Sequence, residues 1–163
     1  MRLSQGVEWA LHCCSVLAGV PPRKVLPATR LAEYHDVPPA YLAKHLQALS
    51  NAGIVESVPG ARGGYRLARP ADEITVLEVV LAVDGEDAAF TCTEIRQCGP
   101  TACEPSAYRG TTCGIARIMW AAEDAWRQSL AQHTIAELLG LALTDAPRKQ
   151  LLAGAKWIEE ASR

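Results

Sequence analysis

No apolar stretch in this sequence approaches the about 18 consecutive residues that a helix needs to cross a bilayer, so we expect no membrane span. Aromatic residues are scarce, with a single Phe, yet hydrophobic residues make up 49% of the chain, enough for a core and a subunit interface. The N-terminus lacks a signal-like pattern, which predicts a cytoplasmic protein whose thiols stay reduced. A length of 163 residues predicts one globular domain, or one small domain with a dimerisation arm.

The sequence also lacks the patterns of an enzyme. It contains no nucleophile-base set, substrate-cleft motif or cofactor fingerprint, so we expect no catalytic activity, and an iron–sulfur enzyme is only a remote alternative. The glycines at 60–64 do not form a phosphate-binding loop, because the strand-loop-helix context with Gly-Lys-Ser/Thr is missing.

The charges are unevenly distributed along the chain. Residues 1–70 hold eight Lys/Arg and four Asp/Glu, whereas residues 71–163 hold eight Lys/Arg and fourteen Asp/Glu. A basic first half and an acidic second half indicate that an anionic partner such as nucleic acid contacts the first half only.

Apolar periodicity in this first half predicts three helices. They cover about 4–18, 28–35 and 39–52, and the prolines at 21–22 and 38–39 separate them. The two short helices form a helix-turn-helix, whose second helix can enter the major groove of double-stranded DNA. Its outward-facing candidates for DNA binding are Tyr41, Lys44, His45 and Gln47.

Two alternating segments, 54–58 and 65–67, predict a β-hairpin after this motif. Its glycine-rich tip carries Arg62, as a winged helix requires for contact with the DNA backbone or minor groove. Lys44 and Arg62 are the strongest DNA-binding candidates because they are cationic. The fold class is therefore mainly α with a small β-hairpin wing, a winged helix-turn-helix.

The second half predicts a subunit interface. Thr75-x-x-Glu78 and Thr134-x-x-Glu137 are capping boxes, and the second opens a short helix that we expect to end near Leu139. Between them, residues 115–132 form a long amphipathic dimerisation helix. A homodimer would place two recognition helices about one DNA turn apart and would bind a palindromic operator.

These patterns divide the chain into four parts. We expect a winged helix-turn-helix at residues 1–85, a cysteine-rich loop at 86–113, the dimerisation helix and a short following helix at 114–143, and a helical tail at 144–163. The tail packs on the body or on the partner subunit; a disordered tail is the alternative.

Four cysteines in the loop indicate a metal site: Cys92, Cys98, Cys103 and Cys113. Thiolates from a flexible loop can converge on iron or zinc, whereas the paired Cys13 and Cys14 lie on a helix and are interpreted as packing residues. The irregular spacing favours an iron–sulfur cluster over structural zinc, and disulfides or spectator thiols are the alternatives.

The motifs at 7–11, 60–65 and 74–85 together resemble the Rrf2 family of bacterial transcription regulators over about residues 1–143. Within that family, segments 6–14 and 90–97 are most similar to its redox-regulator members. The resemblance implies a homodimeric winged-helix protein with a cluster beside the dimer interface, with 2Fe-2S favoured and 4Fe-4S as the alternative. It implies that Cys113 stands where the family has its last cysteine ligand and Cys92 where it has the first. Cys113 is the strongest ligand candidate, Cys92 and Cys98 follow, and Cys103 is an alternative.

The same resemblance implies two ligands that are not cysteines. Glu8 and His12, one helical turn apart, would come from one subunit and two cysteines from the other. Taken alone, such a pair is more often solvated. The sequence thus predicts a dimeric DNA-binding regulator, a repressor, that senses redox or nitrosative state through the cluster. A zinc-bound or cluster-free thiol-switch regulator is the alternative.

Overall fold

The computed structural model describes residues 3–163, in which seven α-helices accompany one two-stranded antiparallel sheet. The helices and strands, in chain order, are α1 (Gln5–Ala18), α2 (Ala28–His35), α3 (Pro39–Asn51), β1 (Val55–Val58), β2 (Gly64–Leu67), α4 (Val76–Asp84), α5 (Gly114–Ala131), α6 (Ile135–Asp145) and α7 (Arg148–Ala161). The mainly helical winged fold is as the sequence predicts.

The described chain divides into two compact units. The winged unit comprises residues 3–86 and 130–163, and the loop unit comprises residues 87–129. The winged unit therefore contains both the helix-turn-helix and the C-terminal tail. Among residues 3–163 no helix combines the length and the apolar character that crossing a membrane requires.

One hydrophobic core lies in the winged unit. Leu31 of α2, Leu42, Leu46 and Leu49 of α3 and Ile135 of α6 are fully buried in it. Cys13 and Cys14 are also fully buried, and burial raises the pKa of Cys13 to about 12 and that of Cys14 further. Such thiols stay protonated at neutral pH, in agreement with their interpretation as packing residues.

The wing is a hairpin in which Val55 pairs with Leu67 and Val58 with Gly64. An additional bridge joins β2 to the segment before α2, because the backbones of Leu26 and Tyr65 donate to each other at 3.0 and 2.8 Å. The wing is thus attached to the helix-turn-helix through the main chain.

The helix caps only partly follow the sequence prediction. Thr75 and Glu78 form the complete capping box at the start of α4, and Thr134 accepts from the backbone of Glu137 at α6. Ser4 directly precedes α1, but its side chain does not cap that helix; its backbone N–H and its hydroxyl donate to the carboxylate of Asp84 at the end of α4.

The predicted end of α6 near Leu139 is wrong. The helix continues through Gly140 to Asp145. A glycine inside a helix costs about 1 kcal/mol relative to alanine, and packing of Ile135 and Leu138 against the core stabilises the helix despite this cost.

Candidate metal centre and DNA-binding surface

Three potential ligand groups converge in the loop unit. The sulfurs of Cys92 and Cys113 and a carboxylate oxygen of Glu94 all lie within 4.8 Å of one another. Cys98 and Cys103 are exposed and do not belong to this group. The structure therefore brings together two of the four predicted cysteines and adds a carboxylate, Glu94, that the sequence analysis missed.

Cys113 occupies a helix N-terminus. Its carbonyl accepts from the backbone of Arg117 at 3.0 Å, so Cys113 is the N-cap residue of α5. Hydrogen bonds from the backbone N–H groups of Ala116 and Ile115 lower the pKa of its thiol, and the nearby Arg96 contributes in the same direction. A lowered pKa favours the thiolate, which is the form that binds metal.

Arg96 holds the two ends of the loop together. Its guanidinium donates to both carboxylate oxygens of Glu94, at 2.8 to 3.0 Å, and to the carbonyl of Thr111 at 3.1 Å. It also lies 4.8 Å from the ring centroid of Tyr108, whose hydroxyl donates to the Arg96 carbonyl at 3.1 Å. These contacts join the segment containing Cys92 to the segment that leads into Cys113.

The backbone at Glu94 explains why its carboxylate turns toward the cysteines. Glu94 has φ of 49°, a left-handed conformation uncommon for a residue other than glycine. A carboxylate two positions after a cysteine is visible in the sequence, but only this turn brings it beside the thiols.

Glu8 and His12 lie on α1 in the winged unit, and both are exposed. The His12 ring lies 5.6 Å, between centroids, from that of His35. The Nε2 atom of His35 is buried without a hydrogen-bond partner among the described residues. Burial, followed by the neighbouring His12, lowers the pKa of His35 to about 4. No sequence pattern indicates this contact between His35 and His12.

Four of the five predicted DNA-binding residues are exposed, and the fifth is half-buried. Tyr41, Lys44 and Gln47 are exposed on α3, and Arg62 is exposed at the wing tip. Gln47 donates to Asn51 at 2.9 Å. These exposed side chains are available to a partner.

His45, the remaining predicted DNA-binding residue, is half-buried between α3 and α1. Its ring lies 6.0 Å from the Trp9 ring, and a Cβ on Gly6 would overlap it. Trp9 also packs edge-on against Tyr41 at 6.5 Å. The first helix and the recognition helix are therefore in direct side-chain contact.

Comparison with known proteins agrees with this architecture. Residues 3–140 match the family described as Rrf2, iron-dependent transcriptional regulator. The chain belongs to the Rrf2 family of transcription regulators.

Individual relatives and solved structures agree with this assignment. Protein aau3 of Rhizobium meliloti is 32% identical over 139 residues, covering 85% of each protein. The structure of T. potens IscR has a TM-score of 0.65 at 19% identity, covering 91% of this chain and 93% of IscR. That of CymR, the global cysteine regulator of B. subtilis, has a TM-score of 0.64 at 24% identity, covering 86% and 98%. At these identities, the two structures show the shared fold.

Membership of Rrf2 confirms several expectations from the sequence. The protein is a helix-turn-helix transcription regulator with a DNA-binding winged fold, and it is not an enzyme. The loop contains cysteines whose positions suit metal binding.

Proposed function

We propose that this Rrf2 regulator is a homodimeric repressor that senses redox or nitrosative state through an iron–sulfur cluster, with 2Fe-2S favoured, at its subunit interface. The observation that carries the proposal is the convergence of Cys92 and Cys113, with one thiol at a helix N-terminus. Soft thiolate ligands suit iron in such clusters. Bound there, the cluster would supply reversible one-electron redox chemistry.

Cys92 and Cys113 are the thiolate ligands in this proposal. Glu94 has both carboxylate oxygens engaged by Arg96, so we assign it to positioning the loop rather than to ligation. Two thiolates leave a cluster that takes four protein ligands incomplete. Glu8 and His12 of the second subunit would complete the set, as the resemblance to redox-regulating family members implies.

A homodimer is supported by the surface of α5. Ile115, Ile118, Met119 and Trp120 of this helix are 66%, 71%, 42% and 41% exposed. Ile115, Ile118 and Met119 share one face of the helix, and such an exposed apolar face favours burial against a second copy of the same helix. Analytical ultracentrifugation should find a dimer, and Ile118→Glu should shift it toward monomer, whereas Gln128→Glu on the same helix should not.

The contacts of α1 offer a route from the cluster to DNA. This helix bears Glu8 and His12, and its Gly6 and Trp9 contact His45 of α3. A change in how Glu8 and His12 bind the cluster would therefore displace the recognition helix. A redox switch requires an element with two positions, and the recognition helix would be that element. Lys44 and Arg62 would bind DNA phosphates of a palindromic operator.

Anaerobic purification followed by visible spectroscopy and iron and sulfide analysis tests the cluster directly. We expect Cys92→Ala and Cys113→Ala to abolish the visible absorbance, whereas the exposed Cys98→Ala and Cys103→Ala serve as matched controls that retain it. Full absorbance in Cys113→Ala would refute the ligand assignment. A colourless preparation containing zinc would instead favour a thiol-switch regulator.

The contribution of α1 needs a separate experiment. Replacing both Glu8 and His12 with Ala should make the cluster labile and uncouple DNA binding from redox state, because ligands would remain from one subunit only. The control is Glu33→Ala, an exposed carboxylate on α2. Wild-type spectra, reduction potential and redox response in the double variant would show that Glu8 and His12 are a solvated pair.

A further inference from the structure

The C-terminal tail packs closely against the helix-turn-helix, although it lies beyond the residues matched to the family. Ala161 and Ser162 are buried. The ring of Trp157 on α7 lies 4.8 Å from that of Tyr34 on α2, and the Arg30 guanidinium lies 4.8 Å from the Trp157 ring centroid. The tail is therefore an integral part of the winged unit.

The main chain joins the end of this tail to the wing. Val25 and Arg163 exchange two backbone hydrogen bonds, each 3.0 Å long, and the adjacent Leu26 exchanges two with Tyr65 of β2. The segment 25–26 thus lies between the wing and Arg163. Because these bonds involve only backbone atoms, the position of Arg163 does not depend on its side chain.

The side chain of Arg163 reaches the wing tip. Its guanidinium donates to the carbonyl of Ala61 at 2.8 Å, and Ala61 immediately precedes Arg62. Next to Arg163 in the chain, Ser162 accepts a hydrogen bond from Lys24 at 3.4 Å. Three segments distant in sequence therefore bring Lys24, Arg62 and Arg163 to one side of the molecule.

These three cations are not neutralised within the described chain. In residues 3–163, none of Lys24, Arg62 and Arg163 forms a salt bridge. The C-terminal end of α7, which carries about half of one elementary charge, and Glu159, four residues before Arg163, oppose part of this charge. Three cations without a salt bridge suit a polyanion, and duplex DNA presents one phosphate charge per about 1.7 Å of helix axis.

We propose that Arg163 and Lys24 extend the DNA-contacting surface of the wing, each binding a backbone phosphate beside the one bound by Arg62. The proposal rests on the part of the proposed function in which the wing contacts DNA, and it is independent of the cluster. Phosphate contacts carry no sequence information, so these residues would contribute affinity for any duplex.

The test of these phosphate contacts is the affinity of the holoprotein for a mixed-sequence duplex of about 30 base pairs, measured across salt concentrations. Each lost phosphate contact should reduce the slope of log affinity against log salt by about 0.9 and weaken binding about eightfold at 0.1 M salt, for each protomer engaged. We expect this change in Arg163→Ala and in Lys24→Ala, and a retained slope in Arg163→Lys.

The matched control is Lys149→Ala. Lys149 is an exposed cation near the start of the 14-residue helix α7, roughly 18 Å from Ala161 at the end of that helix at 1.5 Å per residue. Its replacement removes the same charge and should leave affinity and salt slope unchanged. Visible absorbance should be unchanged in every variant, which separates this result from any failure of the cluster assignment.

A double variant distinguishes a phosphate contact of Arg163 from a role of Arg163 in positioning the wing. If Arg62 and Arg163 bind separate phosphates, the losses in Arg62→Ala and Arg163→Ala should add in log affinity and in slope. Weaker binding of Arg163→Ala with an unchanged slope, or no further loss in the double variant, would show that Arg163 only supports the wing and would overturn the proposal. Absence of duplex binding by the wild type in both the oxidised and the reduced state would overturn this proposal and the DNA-binding role of the wing together.

Discussion

The winged unit and the loop unit are organised by different forces. The winged unit buries a continuous set of aliphatic side chains from α1, α2, α3 and α6. In the loop unit only Cys113 and Ala116 are buried, and the loop is held by polar contacts of Arg96 and by the bond from the backbone of Ala89 to Glu123. Hydrophobic burial therefore stabilises the first unit, whereas polar contacts determine the conformation of the second.

The largest expected effect lies in the core of the winged unit. Leu46→Ala should lower the free energy of unfolding by about 2–5 kcal/mol, because it leaves a cavity where a fully buried side chain now packs. Urea denaturation of the apoprotein, followed by circular dichroism, measures this. Leu152→Ala, at a side chain that is 63% exposed, is the control. Equal effects in both variants would contradict the difference drawn between core and surface.

Arg96→Gln, in the loop unit, should affect cluster binding and leave the folding stability unchanged. We expect an unchanged urea midpoint for the apoprotein but a loss of cluster affinity of about 10–100-fold, the usual cost of removing a group that orients ligands. The concentration of an iron chelator that removes half of the visible absorbance measures this change. Arg109→Gln removes an equal charge from an exposed position in the same loop and should behave as wild type. A cluster as stable in Arg96→Gln as in the wild type would mean that Cys92 and Cys113 converge without the contacts of Arg96.

A smaller effect is expected at the start of α4. Thr75→Ala removes the side chain that accepts from the backbone of Glu78 and should cost about 1 kcal/mol. Thr93→Ala, in an exposed part of the loop unit, should leave the unfolding transition unchanged. A cost at Thr93 as large as that at Thr75 would show that the loss at Thr75 does not come from its cap.

The smallest effect is a pH dependence at the same cap. Burial raises the pKa of Glu78, but hydrogen bonds from Thr75 and Arg69 outweigh it, so the net pKa lies below its ordinary value. The contribution of ionised Glu78 to folding stability is therefore fully present above the pKa that this group has in the unfolded state, about 4.3. It is lost as the pH falls through the lower pKa of the folded state. Glu78→Gln should be less stable than wild type at pH 7 and equally stable near pH 2. A constant difference across that range would rule out this linkage.

Local patterns made much of the fold predictable. Helices α1, α2 and α3, the wing and the capping box at Thr75 follow from apolar periodicity, proline positions and turn residues, all of which act within a few residues. The C-terminal end of α6 was not predictable in this way. Gly140 resembles a helix end in the sequence, and it stays within the helix because packing elsewhere along α6 outweighs its local cost.

At the candidate metal centre, the sequence and the tertiary structure determine different features. The sequence by itself determined that cysteines lie in a loop and that Cys113 precedes a helix, since both depend on neighbouring residues. Only the tertiary structure decided that Cys92 meets Cys113 while Cys98 and Cys103 face solvent. That choice depends on the left-handed turn at Glu94 and on the bonds of Arg96 across the loop. Likewise, no local pattern links Arg163 to the wing, because their contact joins residues 102 positions apart through the packing of α7.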